Sequence, residues 1–116
     1  MSTPTPSSEQ RRAPRKRVDF SAVVTNTISG RPLGHLGNLS SNGMLLISHH
    51  APRSEAVYQV SLPLPGLSGT TPTIEIGIQE QWQEPAASPG QIWAGYRIIA
   101  ITQADAALLD HWLQQT

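Results

Sequence analysis

Apolar residues fall in short runs broken by turn formers, and hardly anywhere before the last fifteen residues does the chain show a helical period. Residues 57–62 and 73–78 alternate apolar and polar positions with period two, the mark of a strand with one buried face, and the second can run on to Trp82. Residues 18–28 alternate poorly, but Val23, Val24, Thr25, Thr27 and Ile28 are β-branched, and Ser29-Gly30 closes the run as a turn. Further strands are predicted over 33–39, 44–47 and 92–99. Pro63, Pro65 and Pro72 punctuate the gap between two of them, because proline cannot donate to a central ladder. Five or six short strands at this spacing predict a small antiparallel barrel, which removes exposed sheet edges by closing on itself.

The C-terminal segment switches period. Ala104, Leu108, Leu109, Trp112 and Leu113 form one apolar stripe at helical spacing. Thr102-Gln103-Ala104-Asp105 before it resembles a capping box, with Asp where Glu is usual. So short a helix does not persist alone in water, so the stripe must dock on the barrel and Trp112 must pack into it.

At 116 residues the chain suffices for one domain, and an apolar share of 38% predicts a modest core. The absence of cysteine excludes disulfides and thiolate metal sites. No run approaches the roughly 18 apolar residues of a membrane span, and the polar first residues lack a signal-peptide core, so the expected location is cytoplasmic and membrane association is not expected. Residues 1–10, rich in Pro, Ser and Thr, are expected to be a disordered tail ahead of a domain over 11–116.

A zero net charge conceals a split. Arg11, Arg12, Arg15, Lys16 and Arg17 outweigh Glu9, giving the first seventeen residues +4, and the rest of the chain carries −4. A basic arm on an acidic body is built to meet an anion. Pro14 biases Ala13 away from helical angles, so the arm is extended or turned, and residues four apart in an extended segment share a side. Arg11 and Arg15 can therefore converge on one ligand, with guanidinium forks suited to phosphate oxygens and to the O6/N7 edge of guanine. The second patch is Asn38-Leu39-Ser40-Ser41-Asn42-Gly43. It offers an amide at Asn38, a hydroxyl at Ser40, and at Gly43 a residue able to take a positive φ and let a ligand approach the backbone. Asn42-Gly43 also reads as an ordinary hairpin turn.

Together and in this order the two patches resemble the PilZ domain family. Arg11 and Arg15 match its Arg-x-x-x-Arg motif, and Asn38, Ser40 and Gly43 match its Asp/Asn-x-Ser-x-x-Gly motif. Arg15-Lys16-Arg17-Val18 looks like the family's lead-in to the barrel, and Trp93-Ala94-Gly95-Tyr96-Arg97-Ile98 like its final strand. The resemblance implies a mainly all-β fold: a small six-stranded antiparallel β-barrel with a C-terminal α-helix and a flexible N-terminal arm. It implies cyclic di-GMP as ligand, with the arm arginines on phosphates and guanines, Arg12 as an added phosphate contact, and Asn38 and Ser40 holding a guanine. Trp82, near a strand end, matches a position where some relatives look to place a stacking aromatic. A receptor of this kind signals by moving its arm and presenting a changed surface to a protein partner.

Two other readings stay open: an interaction adaptor with a vestigial nucleotide site, or a small barrel that binds nucleic acid. The second is disfavoured because the acidic body continues no basic track. No nucleophile–base grouping, phosphate loop or metal spacing is present, so neither catalysis nor a cofactor is expected. His49-His50 is not expected to bind metal, since neighbours on a strand point to opposite faces.

Overall fold

Six strands close into a ring. The computed structural model describes residues 16–17, 22–64 and 71–114. Its elements are β1 (Lys16–Arg17), β2 (Val23–Asn26), β3 (Pro32–Leu39), β4 (Gly43–Ser48), β5 (Val57–Pro63), β6 (Thr73–Pro85), β7 (Ile92–Ile101) and α1 (Gln103–Leu113). Strand β3 pairs with β2 and β4, β4 with β7, β7 with β6, β6 with β5, and β5 returns to β2, all antiparallel. The expected six-stranded barrel with a C-terminal helix is thus the observed fold. The two residues of β1 add to β3 beyond the end of β2, pairing Lys16 with Leu39 and Arg17 with Asn38. The expected tail over 1–10, the flexible arm, and Arg11, Arg12 and Arg15 within it lie outside the described residues.

Period-two alternation sends one face of every strand inward. Val24, Leu36, Leu46, Val60, Leu62, Ile74, Ile76 and Ile78 fill the barrel, drawn from five of the strands. Strand ends differ from the sequence reading in physically understandable ways. Thr27 and Ile28, expected to extend the first strand, instead join Ser29 in a turn in which the Asn26 Oδ1 accepts from the N–H groups of Ile28 and Ser29 at 2.9 and 3.2 Å. Such an Asx turn outcompetes the β-branched preference of Thr27 and Ile28, and Gly30 completes it at a φ of 77°. Strand β6 runs past Trp82 to Pro85, because β7 offers partners along that whole length.

The helix docks as its stripe requires, with Leu109 and Trp112 buried among the barrel residues. Thr102 is the N-cap, its hydroxyl accepting from the Asp105 N–H at 3.1 Å. The capping box is only half formed. Asp105 does not reach back to the cap; its carboxylate accepts from the Glu75 N–H on β6 at 3.1 Å. A side chain one methylene shorter than Glu is instead used to fasten helix to sheet, at the point where β6 has not yet met β7.

Truncating Trp112→Ala should therefore lower stability by about 3–5 kcal/mol, and Thr102→Ala by about 1 kcal/mol. Urea denaturation followed by circular dichroism measures both. Equal and negligible losses would show that the helix does not belong to the cooperative fold.

Candidate functional site

Two β-bulges decide what the barrel shows to solvent at one end. Between β3 and β4, Leu36 opposes Leu46 and Asn38 opposes Leu45, which leaves Gly37 as an extra residue. Strict alternation from the buried Leu36 would send Asn38 inward and Leu39 outward. The extra residue reverses that parity, so Leu39 is buried and Asn38 faces out. Between β6 and β7, Glu80 opposes Tyr96 and Trp82 opposes Gly95, with Gln81 as the extra residue. Alternation from Ile74, Ile76 and Ile78 would bury Trp82; the bulge instead leaves it 48% exposed.

The two reversals create a row. Arg17 on β1, Asn38 on β3, Leu45 on β4, Gly95 on β7 and Trp82 on β6 are successive register partners across five strands. From Asn38 to Trp82 the row crosses three strand spacings, roughly 14 Å. A cleft of about 460 Å³ lies over it, in the size range of small-molecule sites. Gly95 is the floor. A Cβ there would overlap the Trp82 indole, which lies against the glycine and leaves its other side to solvent.

The expected turn sits at the rim of this cleft, though built otherwise than the sequence indicates. Gly43 does not take a positive φ; among the described glycines only Gly30 and Gly90 do. The chain reverses at Ser41 and Asn42, while Gly43 already begins β4 and its carbonyl accepts from the Ser40 N–H at 2.9 Å. Ser40 supplies the restraint that a left-handed glycine would have given. Its hydroxyl donates to Asn42 Oδ1 at 2.9 Å, lies 3.3 Å from the Gly43 carbonyl, and accepts from the Asn42 N–H at 3.4 Å. Ser40 is 0% exposed, so it lies beneath the cleft whereas Asn38, Gly43 and Trp82 line it. The Asn42 carbonyl accepts from the Ile98 N–H at 2.9 Å, fastening the turn to β7.

A buried polar layer supports the Trp82 side. Glu80 is 3% exposed, and its carboxylate accepts from the Glu55 N–H at 2.8 Å and the Gln83 amide at 2.9 Å. Burial is tolerable for a carboxylate supplied with donors in this way. It clamps the loop before β5 to the bulge that turns Trp82 outward. Tyr96, opposite Glu80, also reaches the cleft. Burial above all, with Tyr58 and Glu80 as neighbours, pushes its phenol well above the ordinary tyrosine range, so it remains a neutral donor.

Sequence reasoning missed Asn42, Gly95, Tyr96 and Arg97 as parts of the cleft. Gly95 carried a signal, since a glycine inside a strand often marks close approach by another group. Arg97 carried another, as a cation in an otherwise apolar strand. The arrangement can take a planar group against Trp82 and polar or anionic groups along the rim from Asn38 to Arg97.

A model of the PilZ domain family matches residues 9–115. No curated protein sequence matches the chain. Among solved structures, that of the Bacillus subtilis inhibitor of motility (MotI/DgrA) is similar, with a TM-score of 0.72 and 13% identity over 90% of this chain and 49% of that one. The chain thus spans about half the length of that protein, and at this identity the likeness is one of fold.

If Gly95 is what seats the indole, Gly95→Ala should leave the barrel folded and displace Trp82. In a background with Trp93 and Trp112 replaced by Phe, acrylamide quenching of Trp82 should rise. Unchanged quenching would show that the indole is held by something else.

Proposed function

The chain belongs to the PilZ domain family, and on that premise we propose that it is a cytoplasmic receptor for cyclic di-GMP, a binding domain and not an enzyme, whose N-terminal arm closes over the nucleotide. The observation that carries this reading is the outward row from Asn38 to Trp82, at whose Asn38 end β1 pairs. Because Arg17 is the register partner of Asn38, β1 joins the sheet beside the cleft. Arg15 stands two residues before that pairing and Arg11 and Arg12 a few residues further on, so their guanidinium groups are within reach of a ligand seated there.

The ligand's chemistry divides between the two sides. Its phosphates are anions for Arg11, Arg12 and Arg15, which bring the positive charge that the acidic barrel lacks. One guanine stacks on the open face of Trp82, a contact worth about 1–3 kcal/mol. Asn38 meets a guanine edge from the barrel, and Gly43 lets the ligand come close to the strand backbone. Ser40 acts as a positioning residue, since its buried hydroxyl sets the turn that separates Asn38 from Gly43. Ordering the arm costs about 1–2 kcal/mol per residue, which the charged contacts must offset. Closure exchanges a basic extended segment for a covered cleft, and a protein partner distinguishes the two states by that surface.

Isothermal calorimetry with cyclic di-GMP at low salt tests the reading. Saturable binding is expected, weakened about tenfold or more by Arg15→Ala at unchanged circular dichroism. Absence of binding by the unaltered chain would sink the reading; unaltered affinity in the variant would remove Arg15 from the site.

A further inference from the structure

Asn38, Asn42 and Gly43 stand at one side of the cleft. On the other side stands Arg97, the only cation among the described residues that line it. It lies on β7 two residues beyond Gly95, on the same outward face and about 6.8 Å along the strand. Its register partner is Gly43, which has no side chain to cover it. The side chain is exposed and bonds a neutral partner: Nη2 donates to the Gln79 Oε1 at 3.2 Å. A guanidinium has five N–H donors in a fixed fork, so this single neutral bond leaves most of its donors, and its whole charge, available to a ligand.

We propose that Arg97 is a further ligand-contacting residue, giving a charged contact to a phosphate of the bound nucleotide from the barrel side. The proposal rests on the receptor reading and extends it: the barrel brings a cation of its own to the site. Trp82 and Arg97 then act as a pair, the indole fixing the plane of a base and the guanidinium fixing the backbone attached to it. The fastening of the turn to β7 through Asn42 and Ile98 keeps Arg97 in register with Gly43.

The test is calorimetry of the full chain with cyclic di-GMP, comparing Arg97→Gln with Arg31→Gln. Arg31 is an exposed arginine at the far end of β3, outside the cleft, and its loss changes net charge equally. Arg97→Gln should weaken binding about tenfold to a hundredfold, Arg97→Lys by less, and Arg31→Gln by no more than about twofold. Thermal unfolding of each variant separates a lost contact from a damaged fold. Binding by the unaltered chain with Arg97→Gln within about twofold of it, or equal losses in Arg97→Gln and Arg31→Gln, overturns the proposal and leaves the receptor reading standing. No binding by the unaltered chain overturns the receptor reading itself.

Discussion

A β-strand shows alternate residues to opposite faces, and in a closed barrel one of those faces is the core. Parity therefore settles whether a side chain packs or meets a ligand, and only an inserted residue can change it within a strand. Here two insertions, at Gly37 and Gln81, occur on strands separated by β4 and β7. Both act at the same level of the barrel. Leu36 on one side of that level and Ile74, Ile76 and Ile78 on the other hold the core together; at it Asn38 and Trp82 face outward, and next to them Leu39, Tyr96 and Glu80 take the inward places. The cleft exists because both bulges exist. Removing either would bury a polar or aromatic group on one side and expose an apolar one.

The inward places at that level are not a simple continuation of the core. Glu80 and Ser40 are polar and buried, and each is bonded by groups of the adjoining loops and strands. Such fully bonded networks cost little while intact and are expensive to break, so they hold geometry more firmly than apolar packing at a barrel mouth could. Ser40 sets the turn at one end of the cleft and Glu80 the bulge at the other, with Tyr96 between them. The charged groups are divided differently. The barrel is acidic apart from three arginines, the arm is basic, and Arg97 is the barrel cation that faces the cleft.

Much of this was legible in the residues. Alternation in 57–62 and 73–78 gave strands, the stripe from Ala104 to Leu113 gave a docked helix, and the motif residues Asn38 and Gly43 do border one cleft with Trp82. What stayed hidden was set by long-range pairing. Gly37, a glycine inside a strand, is a weak local sign of a bulge, but nothing local to Gln81 announces one, because an extra residue is defined only against its partner strand. The role of Ser40 was obscured in the same way: hydroxyls bind ligands or lock turns, and burial decides which. Asn42-Gly43 reads as a turn needing a left-handed glycine, yet the Ser40 side chain makes that conformation unnecessary. Gly95 is a small residue whose purpose appears only once Trp82, thirteen positions earlier, is seen to lie against it.

The claim that the row from Asn38 to Trp82 is a single ligand surface is tested most directly by titrating the isotope-labelled chain with cyclic di-GMP and following its amide and indole N–H resonances. Shifts should concentrate at Asn38, Gly43, Gly95, Arg97 and the Trp82 indole, and spare the opposite end of β3 around Leu33. Shifts centred on that opposite end, or none at saturating nucleotide, would contradict the account.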